Sequence, residues 1–169
     1  MLDIALNYAD ELIKKDRNTW FLDKYKYYNG NYCADLELRT NTYDVYQFVS
    51  VDENGSVIGY IGYKIDRCAN SCYDLCIVNY SNNYLTFGKD VLRAITDIFD
   101  RYRFNKLEFN VVIGNPAEKS YDRLIKRCGG SVIGIFHDHT KLVDGLLYDV
   151  KYYEVLARDF QRVRYKKRG

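Results

Sequence analysis

The stretch that most constrains this chain is Cys72 to Tyr102, CYDLCIVNYSNNYLTFGKDVLRAITDIFDRY, because its hydrophobic period changes there from 2 to 3.6 across a polar turn. Cys72, Asp74, Cys76 and Val78 share one side of an extended chain and Tyr73, Leu75 and Ile77 the other, which predicts a strand with much of both faces covered. Turn formers run from Asn79 to Asn83. Val91, Leu92, Ile95, Ile98, Phe99 and Tyr102 then recur at helical spacing with charged residues between them. A strand that feeds a helix through a short loop leaves the helix's first amide N–H groups unpaired at the positive end of its dipole, where phosphate is attracted. Gly88 lets backbone approach a ligand there, and Lys89 adds charge. The same pattern also occurs in α/β units that bind nothing.

A chain of 169 residues suits one domain able to bury about two-thirds of its unfolded surface. The formal charge of +2 implies no strong attraction to nucleic acid from the total alone. The five cysteines are odd in number and no signal peptide or membrane-spanning run is present, so a reduced, cytoplasmic chain is expected. Cys68, Cys72 and Cys76 stand about 13 Å apart along a strand, too far to share a metal, and read as buried thiols. The 18 tyrosines suit strand surfaces and clefts for extended ligands, although low-GC codon usage gives the same excess.

Leu2 to Lys15 shows helical spacing, and Trp20 to Tyr28 suggests a second helix ending at Asn29-Gly30. The segment from Tyr32 to Thr42 fits a strand or a loop. Tyr43 to Val51 and Val57 to Ile65 flank Asn54-Gly55, a strong hairpin signal, and Gly59 and Gly62 in the second strand mark a close approach. With the Cys72 strand they make a three-stranded antiparallel meander. Lys106 to Ile113 alternates as a strand and, following a helix, is expected parallel to the Cys72 strand. Asn115-Pro116-Ala117-Glu118 reads as a capping box opening a helix that stops at Gly129-Gly130. A last hairpin turns at Val143-Asp144-Gly145, and residues 158–169 form a basic tail with little apolar content.

This order of helices, meander, helix, strand, Asn-started helix and hairpin resembles the GCN5-related N-acetyltransferases over nearly the whole chain. The resemblance implies an α+β fold, a mostly antiparallel twisted sheet with one splayed parallel strand pair, flanked by helices, in residues 1–157. It implies an acetyl-coenzyme A dependent N-acetyltransferase, with the diphosphate held by backbone amides of the loop Asn83-Tyr84-Leu85-Thr86-Phe87-Gly88 and by Lys89. In that loop Asn83 stands where the family has Gln or Arg, and Thr86 stands where it has the first Gly. It further implies that amides near Ile77, Val78 and Tyr80 hold the pantetheine between two diverging strands. Asn115 would then bond the pantetheine or a water, or serve as a plain helix cap.

Transfer of an acetyl group from a thioester to an amine needs a neutral amine, a polarised carbonyl and a proton for the thiolate. Asp74 or Glu108 is the expected base, because burial beside apolar strand residues raises a carboxylate's pKa. Family members often place a Tyr four residues before the glycine that ends the second helix; here that position is Ile125, and Tyr121, one turn earlier, is the candidate acid or a core residue. His137 and His139 lack a third ligand, so no metal is expected. The amine is a small molecule or a protein group, and the chain a monomer or homodimer without membrane contact. Two other readings stand beside this one. One is a catalytically inactive binding or regulatory domain of the same fold. The other is a nucleic-acid- or ribosome-associated protein using Arg158, Arg162, Arg164, Tyr165, Lys166, Lys167 and Arg168.

Overall fold

The computed structural model describes residues 1–30 and 33–166, built around a seven-stranded sheet in the order β1-β2-β3-β4-β5-β7-β6. The strands are β1 (Leu2–Ile4), β2 (Val45–Val51), β3 (Val57–Asp66), β4 (Ser71–Asn79), β5 (Lys106–Val112), β6 (Ser131–Lys141) and β7 (Leu147–Leu156). The helices are α1 (Ala9–Arg17), α2 (Lys26–Asn29), α3 (Tyr84–Asp100), α4 (Glu118–Cys128) and α5 (Ala157–Lys166). Every neighbouring pair is antiparallel except β4 and β5, which run parallel because α3 connects them. The expected mixed sheet with one parallel pair is the sheet observed.

Local chemistry accounts for the meander. Gly55 takes a φ of 81°, and the Asp52 carboxylate accepts the N–H groups of Asn54 and Ser56, so β2 turns into β3 at the Asn54-Gly55 signal. Alternation then sorts side chains to two faces. One carries Ile61, Leu107 and Phe109 under Ile95 and Ile98 of α3. The other carries Val49, Val57, Tyr60 and Val78 under Leu12 of α1. Burying each of the Val, Leu, Ile and Phe side chains among them contributes about 1.5–3 kcal/mol.

Three expectations require correction. Leu2 to Ile4 is strand rather than helix: it pairs with Ser50 to Phe48, and a single 3₁₀ turn over Ala5–Tyr8 precedes α1. Spacing of three residues satisfied either reading. The helix expected from Trp20 reduces to a 3₁₀ turn at Asp23–Tyr25 and the one-turn α2, because Phe21 has a φ of 63° and no right-handed helix passes through it. The expected basic tail is helix α5 as far as Lys166. Phe160 stacks on Phe99 at 4.7 Å, Arg164 pairs with Asp100, and Arg162 with Asp159. Residues 31, 32 and 167–169 lie outside the described residues.

Candidate active site

Strands β4 and β5 pair only at Ser71 with Lys106 and Cys72 with Leu107. Beyond that point each keeps its outer partner: β4 stays on β3 to Asn79, and β5 stays on β7 to Val112. The divergence starts at a bulge. Asp74 has a φ of 55°, and the β3–β4 register slips between Gly62 and Lys64, so an extra residue bends β4 away from β5.

The alternation of backbone groups decides what faces the gap. The Tyr80 N–H donates to the Ile58 carbonyl on β3, so Val78, two residues back, also faces β3 and Ile77 faces the gap. The Tyr25 hydroxyl reaches the Asn79 carbonyl at 3.0 Å. Of the amides expected at Ile77, Val78 and Tyr80, the first is therefore on the open edge and the other two are not. The side chain of Val78 is buried, and the hydroxyls of Tyr80 and Tyr28 both donate to the buried Asp16 carboxylate, at 3.0 and 2.7 Å. Sequence spacing places residues along a strand without saying which edge each amide uses.

The gap opens on one face of the sheet into a cavity of about 580 Å³ between α3 and α4. Six of the anticipated residues line it: Ile77, Tyr84, Phe87, Gly88, Asn115 and Tyr121. Among the described residues three cations, Lys24, Arg123 and Arg127, join them, and no carboxylate does. The sequence reading missed these cations. Arg123 and Arg127 stand four apart on α4 beside Ser120 and Leu124, a spacing legible as the basic flank of an amphipathic helix. Lys24 arrives only through the tertiary fold. Asn79, also missed, lines the cavity with a buried side-chain nitrogen that has no hydrogen-bond partner among the described residues, while its Oδ1 accepts from Ser81.

At the start of α3 the Asn83 side chain accepts the Thr86 N–H at 3.2 Å, and the Tyr84 and Phe87 amides reach the carbonyls of Asn82 and Asn83. Asn83 is thus the helix cap, and Leu85 and Lys89 point to solvent. The close approach marked by Gly59 is to Phe87, whose ring lies where a Cβ would stand. Asn115 Oδ1 accepts the Ala117 N–H at 2.9 Å, capping a turn that leads into α4 two residues later than the capping box implied.

The candidate catalytic residues divide between the two faces of the gap. Tyr121 stands in the cavity edge-to-face with Phe109 at 5.7 Å. Burial, reinforced by the nearby Cys76 thiol, pushes its phenol well above the ordinary value, so it keeps its proton at neutral pH. Asp74 and Glu108 line a second hollow of about 450 Å³ on the opposite face, with Tyr73, Asn110, Ile133, Phe136 and Tyr152. They do not have the burial invoked for them. Their side chains are 57% and 37% exposed, and each pairs with a lysine, Asp74 with Lys64 at 2.8 Å and Glu108 with Lys106. His137 contacts Asp149 at 2.8 Å and His139 contacts Tyr152 at 3.1 Å. Among the described residues no group of three His, Cys, Asp or Glu side chains could hold a metal, and no helix is long and apolar enough to cross a membrane.

No protein-family model matches the sequence, and no curated protein does. Solved structures do. The spermidine/spermine N-acetyltransferase SpeG from Vibrio cholerae, in complex with manganese ions, is similar with a TM-score of 0.61 at 19% identity, over 72% of this chain and 71% of that one. A chimera of that enzyme with hSSAT gives 0.60 at 20% identity, over 70% of this chain and 71% of the other. A point mutant of SpeG gives 0.58 at 20%, over 71% and 70%. At such identity the likeness is one of architecture, and it agrees with the parted parallel strands: this chain has the fold of the GCN5-related N-acetyltransferases.

Proposed function

We propose that this protein transfers an acetyl group from acetyl-coenzyme A to an amine. The observation that carries the reading is the parting of β4 and β5 after two paired residues into a cavity whose charged lining, among the described residues, is Lys24, Arg123 and Arg127. An extended ligand with amides at one end and phosphates at the other fits such a site, since unpaired strand backbone takes the first and cations the second. The Asn79 amide nitrogen, without a partner among the described residues, adds a donor on the way. The N-acetyltransferase neighbours support the same chemistry.

Acetyl-coenzyme A supplies the acyl group as an activated thioester. The Ile77 amide, on the open edge of β4, donates toward the thioester oxygen and stabilises charge that develops there. Tyr121, kept protonated, donates to the departing sulfur as the carbon–sulfur bond breaks. Asp74 or Glu108, on the far face, accepts the proton that the amine sheds as its nitrogen–carbon bond forms. The two faces thus separate cofactor from acceptor, with the apex of the gap between them.

Calorimetric titration with acetyl-coenzyme A, followed by a transfer assay over a panel of amines, tests the reading. Micromolar binding with turnover is expected. A dissociation constant weaker than about 1 mM overturns it, and tight binding without turnover on any amine points instead to an inactive binding domain of this fold.

A further inference from the structure

The hollow on the acceptor face is divided by chemistry along the sheet. At its inner end, beside the apex of the gap, stand Asp74 on β4 and Glu108 on β5. At its outer end, on the last two strands, stand Ile133, Phe136 and Tyr152. Phe136 and Tyr152 meet edge-to-face, with centroids 4.8 Å apart, and the Tyr152 hydroxyl is held by His139. Ile133 and Phe136 are half exposed, 51% and 53%, although β6 could have turned polar side chains outward there. Among the described residues that line this hollow the charged ones are Asp74 and Glu108, each paired with a lysine at its edge.

We infer that the acceptor is an amphipathic primary amine, an ammonium head on a single apolar or aromatic body, rather than a linear polyamine. The inference rests on the acetyltransferase reading and names the substrate class of the same site. The head must reach the apex, where Asp74 and Glu108 are the charged residues among the described lining and Glu154 stands across from Glu108, and it displaces the Lys64 and Lys106 side chains, which are 56% and 32% exposed. The body then lies over Phe136, Ile133 and Tyr152, where apolar surface leaves water on both partners. A second ammonium farther along the chain would lie over Ile133, where the described residues that line the hollow carry no carboxylate and Glu154 stands back across from Glu108. Cation–π contact with Phe136 or Tyr152 offsets only part of that loss.

Saturation-transfer NMR titrations of the full chain, without coenzyme, with 2-phenylethylamine and with spermidine test this directly. The expected result is at least tenfold tighter binding of 2-phenylethylamine, with Phe136→Ala weakening it at least fivefold. Ile133→Glu, at an exposed position, is the second variant and is expected to shift preference toward spermidine. Tighter binding of spermidine by the unaltered chain, or no response to either substitution, overturns the inference. Because these titrations need no coenzyme, amine selectivity in a chain that fails to bind acetyl-coenzyme A separates this inference from the acetyltransferase reading.

Discussion

The Asn83 carboxamide oxygen accepts the Thr86 amide at 3.2 Å, so the helix end that faces the cavity is already capped by the chain's own side chain. A diphosphate bound there competes with a neutral acceptor for that amide, and a charged acceptor makes the stronger hydrogen bond. Asn83→Gly removes the competitor and costs only a few tenths of a kcal/mol in helix capping. Coenzyme A affinity, measured by calorimetry, should rise severalfold. A fall would assign the Asn83 side chain itself to the phosphates.

Gly59 and Phe87 are held in a stricter relation. A Cβ on Gly59 would stand 2.2 Å from the Phe87 ring and 2.8 Å from the Val78 carbonyl oxygen, and the latter is backbone that cannot rotate away. Gly59→Ala should therefore cost about 1–3 kcal/mol as overpacking, read as a lower melting temperature. It should also weaken coenzyme binding, because the displaced ring lines the cavity. A variant as stable as the parent would show that α3 can lift off the sheet.

The same residues show how much was legible beforehand. Gly59 in a strand announced a close approach, Asn54-Gly55 a hairpin, and the change of period after Asn79 the strand and helix that bound the cavity; each is local chemistry that survives tertiary context. Leu2 to Ile4 failed because three residues cannot distinguish a helical stripe from an edge strand, and pairing with Ser50 decided it. The amide directions of Val78 and Tyr80 failed because they depend on which neighbour β4 keeps. Lys24 could not be seen at all, since nothing near it in sequence refers to α4.

Tyr121 is expected to matter to chemistry rather than to binding. Tyr121→Phe keeps the ring against Phe109 and removes the hydroxyl. The rate constant for transfer should fall about 10²-fold or more, with coenzyme affinity within twofold of the parent. Burial holds the phenol protonated, so the parent's rate should show no loss through Tyr121 ionisation up to pH 10. Equal rates in the two proteins would return Tyr121 to the core.

Asp122 links acid stability to the sheet. Its carboxylate accepts the hydroxyl of the buried Tyr153 at 2.7 Å and lies 3.4 Å from Lys151, and these partners hold its pKa below the usual carboxylate value. A depressed folded pKa gives stability that is fully present above the unfolded value, about 3.9, and is lost as pH falls through the folded one. Asp122→Asn should cost about 1–2 kcal/mol at pH 7, and the difference from the parent should shrink toward pH 2 in urea denaturation. A difference independent of pH would mean that the hydrogen bond alone, not the charge, is what stabilises.

Arg123 and Arg127 offer the sharpest separation of phosphate binding from the rest of the site. They lie one turn apart on α4 and line a cavity whose described lining contains no acid. Charges at a solvent-accessible mouth act within a Debye length of about 8 Å at physiological salt, so their effect should weaken as salt rises. Arg123→Glu combined with Arg127→Glu is expected to weaken coenzyme A binding by more than tenfold at low salt and by less at high salt. Pantetheine, which lacks the phosphates, should bind both proteins alike. If pantetheine binding collapses together with that of coenzyme A, the substitutions have disturbed α4 itself, and the cations do not hold the diphosphate.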